Sequence, residues 1–379
     1  MRFVELFAGI GLVRLALERS GWECIFANDI DPKKKQAYTR NFSACEFSLG
    51  DVWQIEVSAL SAPVDLVTAS FPCTDLSLAG NRSGLAGKHS SAFWALIRIL
   101  DGLRINQGTP KVVLVENVVG FLTSRNGDDF IAAVRALNEQ GYVVDAVVVD
   151  ARNFTAQSRP RLFLIAVRDD LADVHMVRPS FGGILSTWNQ ELEESSSALR
   201  PASLRGLMRR NETLKWGLLN IPTPPLPTQT LSDVIEDLPN DSDRWWSAEH
   251  MTKLISQMSE LHLSELERMR SRHGHSYGTI YRRKREVGIR AEMRTDGLAG
   301  CLRTPKGGSS KQIVLRAGNG EVRARWMTPR EYGRLQGVPD SFIIPENDID
   351  AYFGFGDAVC VPAVEWLAMH AINPIFGSP

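Results

Sequence analysis

Apolar and polar residues alternate in blocks over the first 168 positions, and the blocks predict strands and helices in turn. Residues 2–7 read as a strand and 12–20 as an amphipathic helix; 23–28 is the next strand, followed by a helix through 34–41. Residues 65–70, 112–115, 143–150 and 161–167 continue the β-runs, with helices at 91–103 and 128–140. Alternation on this scale predicts an α/β fold, a doubly wound and largely parallel sheet with helices on both faces. In such sheets ligands bind beyond the carboxyl ends of the strands.

After about residue 168 the texture changes. Ser195-Ser196-Ser197 and Pro222-Thr223-Pro224-Pro225-Leu226-Pro227 are loop-like, and the β/α alternation disappears. This predicts a second, smaller and irregular domain. A helix is expected at 329–335 behind Thr328 as its N-cap. The apolar segment 355–367 is helix-like enough to return to the first domain. The expected division is 1–172 with 350–379 as one domain and 173–349 as the other.

Composition narrows the class. At 379 residues, two lobes are the better expectation than one. No apolar run approaches the roughly 20 residues that span a bilayer, and the chain enters a strand at once, leaving no room for a signal peptide. A cytoplasmic protein with no membrane partner is expected. The cysteines Cys24, Cys45, Cys73, Cys301 and Cys360 are odd in number and lack metal-ligand spacing, so no metal site or disulfide framework is suggested. A net charge of -1 does not suggest a generic polyanion binder, so any nucleic-acid surface must be local. The candidate is 268–294, where Arg270, Arg272, Arg282, Arg283, Lys284, Arg285 and Arg290 face only Glu286 and Glu292; a solvated basic face is the alternative.

Three strand ends carry candidate binding chemistry. Phe7-Ala8-Gly9-Ile10-Gly11 follows the first strand and opens the first helix, where glycines let the backbone approach a ligand. The G-x-G-x-x-G fingerprint is incomplete, since Arg14 stands at its third position. Asn28-Asp29-Ile30-Asp31 ends the second strand about 20 residues on, where an acid can accept from ribose hydroxyls. Gly50-Asp51-Val52 follows, where a carboxylate could accept from an adenine amino group. A helix N-cap is the alternative role for either acid. Together they suggest an adenosine-containing cofactor.

Two further strand ends carry reactive groups. Pro72–Cys73 ends one apolar run and Glu116-Asn117-Val118 another. A cysteine adds to an electron-poor carbon, and a carboxylic acid protonates or hydrogen-bonds a ring nitrogen. Carbon-5 chemistry on cytosine needs that pair.

With these motifs in order, the chain resembles the DNA cytosine-5 methyltransferases that use S-adenosyl-L-methionine. The blocks carrying the likeness are Phe7-Ala8-Gly9-Ile10-Gly11, Asn28-Asp29, Gly50-Asp51-Val52, Phe71-Pro72-Cys73, Glu116-Asn117-Val118 and Gln157-Ser158-Arg159-Pro160-Arg161, then Arg303-Thr304-Pro305, Thr328-Pro329-Arg330-Glu331 and Phe355-Gly356-Asp357-Ala358-Val359. The resemblance implies a Rossmann-like S-adenosylmethionine-dependent methyltransferase domain with a target-recognition domain as its smaller partner. It implies Cys73 as nucleophile, Glu116 at the ring nitrogen, and Arg159 and Arg161 orienting Glu116 or contacting the base or the cysteine loop. Cofactor contacts are implied for Phe7, Ala8, Gly9, Gly11, Asp29, Ile30, Asp51, Val52, Pro72, Asp357, Ala358 and Val359, with S-adenosyl-L-homocysteine as product and no metal. Arg82 and Lys88, in a catalytic loop over 74–91, and Arg282, Arg283, Lys284 and Arg285 are the implied contacts to double-stranded DNA. The chain departs from the family at Thr74, Leu76 and Asp357, where glutamine, an aromatic residue and asparagine are common. The implied biology is a monomer on DNA, beside a cognate restriction endonuclease of a restriction-modification or related defence system. A tRNA cytosine-5 methyltransferase and a catalytically silent DNA-binding homologue are the alternatives. A nicotinamide dehydrogenase would leave Pro72–Cys73 unexplained.

Overall fold

The computed structural model describes residues 1–377 apart from 45, 61–62, 73–91, 107, 180–198, 286–287 and 306–310. Cys73, Arg82 and Lys88 lie outside the described residues, as do the side chains of Lys284 and Arg285. The chain forms two compact units. One comprises Met1–Asp150, Pro160–Pro224 and Ala363–Pro379; the other comprises Ala151–Arg159 and Pro225–Pro362.

The first unit is built on β1 (Arg2–Leu6), β2 (Glu23–Asp29), β3 (Phe47–Leu49), β4 (Leu66–Ala69), β5 (Val112–Val118), β6 (Tyr142–Asp150) and β7 (Pro160–Arg168), in sheet order β3-β2-β1-β4-β5-β7-β6. Strands β3 to β5 run parallel, and β7 is antiparallel to both its neighbours. Every strand expected from the sequence over these residues is present. β5 continues past Val115 because Glu116, Asn117 and Val118 pair with Phe163, Leu162 and Arg161. β4 is buried along its whole length, as a strand covered on both faces must be, and so it reads as an unbroken apolar run.

Helices α1 (Leu12–Arg19), α2 (Pro32–Thr39), α3 (Ala92–Asn106) and α4 (Asp128–Glu139) cover the sheet. Phe93, Leu96 and Leu103 of α3 and Phe130, Val134 and Leu137 of α4 join Val67, Val113 and Val115 in one core. Since β1 lies between β2 and β4, chain direction across the sheet reverses there. The ligand crevice of such a sheet lies beyond the carboxyl ends of β1 and β4.

The first unit runs on through residue 224 for physical reasons. β8 (Met176–Val177) pairs with β9 (Leu218–Leu219). Arg200 and Asp145, both fully buried, form an ion pair at 2.5 Å, and Leu219 N donates to the same carboxylate at 2.9 Å. Removing one partner of such a pair leaves an uncompensated buried charge.

The second unit is more regular than its sequence texture predicted. β10 (Ser276–Arg285), β11 (Gly288–Arg294), β12 (Ile313–Gly318) and β13 (Glu321–Trp326) form an antiparallel sheet in order β11-β10-β12-β13. Dense arginines in β10 and β11 hide the period-2 alternation on which a strand is recognised. Helices Ala248–Ile255 and Glu260–Arg270 start on Ser247 and Ser259 and lay Leu254, Leu266 and Met269 against Ile280, Ile313 and Leu315. Helix Pro329–Leu335 begins as expected on Thr328, whose hydroxyl accepts from Glu331 N at 3.1 Å while Glu331 accepts from Thr328 N at 2.8 Å.

The C-terminal segment corrects two expectations. The helix expected at 355–367 is two, Asp348–Asp357 and Val361–Leu367. Asp348–Phe376 also holds a window of mean hydropathy 1.3, apolar enough by length and composition to cross a membrane. Of that window 67% is buried inside the protein, which is the burial of a core helix.

Candidate active site

The glycine turn closes on the second strand. Ala8 N donates to Asn28 O at 2.8 Å and Gly9 N to Asp29 Oδ2 at 2.9 Å, while Asp29 Oδ1 accepts from Asp31 N at 2.9 Å. Asp29 thus holds both the turn after β1 and the loop after β2. Each carboxylate oxygen retains capacity for a further donor. Gly11, the residue before α1, has φ 85°, and a Cβ there would lie 2.4 Å from the Phe42 ring. Only glycine meets both demands.

At the ends of β2 and β3 the surface alternates acid and apolar. Ile30 is 67% exposed and Trp53 44% exposed. Asp51 accepts from Trp53 N at 3.0 Å and caps the 3-10 turn Val52–Gln54, so its capping role is realised. Val52 is buried below it. Exposed apolar faces beside Asp29 and Asp51 fit an adenosine, whose flat base and ribose hydroxyls need those two surfaces. Trp53 was not among the expected residues; an aromatic side chain directly after Asp51-Val52 in a polar loop is the signal that could have found it.

The reactive edge lies at the ends of β4 and β5, which pair through Ala69 and Val115. Asn117 Nδ2 donates to Phe71 O at 3.2 Å, and Asn117 Oδ1 accepts from Val118 N at 2.9 Å. That bond fixes the backbone just before Pro72, which is exposed and leads to Cys73. Glu116 is buried, with its Oε1 3.1 Å from Arg161 Nε. Register explains the pairing. Because β7 runs antiparallel, its first residues arrive at the carboxyl edge of the parallel strands, where Arg161 faces Val118. Glu116 lies two positions earlier and therefore on the same face.

Arg159 falls in the second unit. It is buried, donating to Leu302 O at 2.8 Å, Gly356 O at 3.1 Å and Ala358 O at 2.6 Å. Gln157 accepts from Leu302 N at 3.1 Å and donates to Leu335 O at 2.9 Å. Gln336, not singled out in the sequence, donates to Phe355 O at 2.7 Å and Ala358 O at 3.0 Å. These three side chains fix the backbone around 302 and 355–358. Gly356 allows the close approach, since a Cβ there would lie 2.7 Å from Arg303 C and Thr304 N. Asp357 is exposed at the end of its helix, and Val359 is buried.

The basic residues separate by face. Arg283 donates to Tyr281 Oη at 3.0 Å and lies 3.8 Å from Glu292, whereas Arg282 lies over the Trp326 ring. Cys24 and Cys360 are buried and Cys301 is half-buried. Among the described residues no group of three or more His, Cys, Asp or Glu side chains is placed to hold a metal ion.

Known proteins are similar to this chain in sequence and in fold. A family model described as C-5 cytosine-specific DNA methylase matches residues 1–373. Type II methyltransferase M.DsaV of Dactylococcopsis salina is 25% identical over 379 residues, covering 99% of this chain and 87% of that protein. Type II methyltransferase M.HpaII of Haemophilus parainfluenzae is 26% identical over 380 residues, covering 96% and 87%. M.HhaI of Haemophilus parahaemolyticus reaches 34% over 172 residues, 45% of this chain and 50% of that one. Among solved structures, S. pombe Dnmt2 methyltransferase covers 99% of both chains with a TM-score of 0.61 at 16% identity. A putative DNA modification methyltransferase from an E. coli prophage covers 100% of both at 0.59 and 17%. At those identities the structural likeness is one of fold.

Proposed function

We propose that this chain, which belongs to the C-5 cytosine-specific DNA methylase family and is a DNA cytosine-5-methyltransferase, works through Cys73 and Glu116 on a cytosine turned out of duplex DNA. Cytosine C5 is a poor nucleophile. Adding the Cys73 thiolate to C6 forms a C–S bond and breaks the aromatic system, which makes C5 an enamine-like carbon. Glu116, by protonating or hydrogen-bonding N3, stabilises the charge that this addition places on the ring. Once C5 carries the methyl group, loss of the C5 proton and departure of Cys73 restore the ring. Arg161 holds the Glu116 carboxylate in place, and Asn117 holds the backbone that leads to Cys73. The stacked base is inaccessible in a duplex, so it must flip out, and Arg82 and Lys88 are proposed to meet phosphates as the loop 74–91 closes.

The methyl donor of the family is S-adenosyl-L-methionine, which supplies an electron-poor sulfonium methyl when bound and leaves as S-adenosyl-L-homocysteine. In the first unit Phe7, Ala8, Gly9, Gly11, Asp29, Ile30, Asp51, Val52 and Pro72 are the residues proposed to hold it. Asp357, Ala358 and Val359 stay candidates on the resemblance alone, as does Arg159 for the base or the cysteine loop. Residues 173–349 are proposed to recognise the target, with Arg282, Arg283, Lys284 and Arg285 on DNA. The type II relatives support a modification enzyme; that it acts in the cytoplasm as a monomer, beside a restriction endonuclease for the same site, is proposed with it.

One observation carries the reading: a buried carboxylate, 3.1 Å from Arg161, stands on the sheet edge where Asn117 ties down the approach to Cys73. Glu116→Gln should lower turnover on duplex DNA by about 10²-fold or more while cofactor affinity stays near wild type. A near-normal rate would remove Glu116 from the mechanism.

A further inference from the structure

We propose that Arg282 and Lys311 form a two-cation cradle on the Trp326 indole that takes a phosphate of the DNA backbone. The inference rests on duplex DNA being the substrate.

Strand register brings the three side chains together. Ile280 faces Ile313, and Ile313 faces Trp326. Arg282 lies two positions beyond Ile280 and Lys311 two before Ile313, so all five positions share one face of the sheet. Ile280 and Ile313 are fully buried, and the half-buried Trp326 closes that core at its end. The Arg282 guanidinium lies 5.0 Å from the Trp326 ring centroid and the Lys311 ammonium 4.6 Å from it. Lys311 is also 5.4 Å from the Tyr352 ring.

An aromatic ring stabilises one cation over it, but two on the same ring repel each other. Among the described residues neither Arg282 nor Lys311 forms an ion pair, whereas Arg283 on the opposite face lies 3.8 Å from Glu292. The nearby acid is Asp348, itself 3.5 Å from Arg244. Lys311 is held below its ordinary pKa, chiefly by burial; Asp348 opposes this and Arg282 adds to it. Arg244 and Lys311 therefore share one carboxylate, and Arg282 adds a further positive charge on the same indole. A phosphate between Arg282 and Lys311 would offset both the repulsion and the desolvation.

The surroundings favour a backbone phosphate over an isolated anion. β10 pairs with β12 only as far as Ile280 but with β11 as far as Arg285. Beyond the cradle the two strands continue as a projecting ribbon, whose exposed Arg283 and Arg290 face each other on the opposite side from Arg282. A two-cation site at the root of a projecting ribbon with basic residues suits a polymer of phosphates better than a lone anion, and β-ribbons are an established way into a DNA groove.

The test is the salt dependence of binding to a random-sequence duplex, measured on the full chain by fluorescence anisotropy. A phosphate contact contributes about 0.9 to the slope of log affinity against log salt. Lys311→Gln and Arg282→Gln should each lower the slope by about that amount and weaken binding about 3- to 10-fold at moderate salt. Lys311→Arg should keep the wild-type slope. All three should still bind S-adenosyl-L-homocysteine, which reports the fold; should Lys311→Gln fail there, Arg282→Gln decides. Glutamine variants that melt earlier but keep the wild-type slope would overturn the cradle, leaving these cations only to cover Trp326. A wild-type chain that binds no duplex at low salt would overturn the DNA reading together with it.

Discussion

Arg14 stands where a dinucleotide fingerprint has its third glycine, and its partners explain the departure. Its backbone N donates to Glu5 Oε1 at 3.2 Å, its Nε lies 2.6 Å from Glu18, and its Nη1 lies 3.3 Å from Tyr38 Oη and 3.4 Å from Glu46. Tyr38 donates in turn to Glu5 at 3.3 Å, so one polar network joins β1, α1 and α2 beneath the glycine turn. Nothing in the sequence marked Glu5 or Tyr38, because a buried acid and its partners meet only once strand and helices are packed. Burial pushes the Glu5 carboxyl up from 4.5 to about 8, against the bonds from Arg14 and Tyr38. Between those values the native state keeps a proton that the unfolded chain has lost, so stability falls as pH rises from about 5 to 8 and levels off above. At about 1.4 kcal/mol per unit of difference the effect is measurable. In Glu5→Gln the fall should flatten, leaving the variant relatively more stable at pH 8; urea melts across that range check it, and a wild-type slope in the variant would deny Glu5 this role.

Among the elements, legibility followed burial pattern. The central strands β1, β4 and β5 were readable as apolar runs, whereas the short, largely exposed edge strand β3 was not, and the helix behind Thr328 was readable from its N-cap. The antiparallel ribbon was not, because arginines occupy both its faces. Nor could the sequence show which arginine meets Glu116. That depends on β7 being antiparallel, which places Arg161 diagonal to Glu116 while Arg159, two residues earlier, binds carbonyls at Leu302, Gly356 and Ala358. The close packing of helix Asp348–Asp357 on the backbone at Arg303 and Thr304 gives a direct check. Gly356→Ala puts a methyl 2.7 Å from that backbone and should destabilise by about 1–3 kcal/mol. Thermal denaturation measures it, and an unchanged melting temperature would mean that the segment yields freely.

For the whole molecule, the order of motifs made the family readable, and the proposed acid and cofactor turns each lie at a strand end. The DNA contacts were harder to place, because charge alone does not say which cations are neutralised; Arg283 has Glu292, and Arg282 shares an indole with Lys311. The target sequence is not written in any of these residues by a known code. Activation of a DNA cytosine by Cys73 can be tested without that sequence. Duplex DNA and tRNA are each incubated with methyl-labelled S-adenosyl-L-methionine and wild type or Cys73→Ala, then digested to nucleosides and analysed by mass spectrometry. The expected result is labelled 5-methyldeoxycytidine from DNA with wild type alone, none with Cys73→Ala, and cofactor binding retained in the variant. Label at another position, label in tRNA only, or undiminished turnover by Cys73→Ala would contradict it.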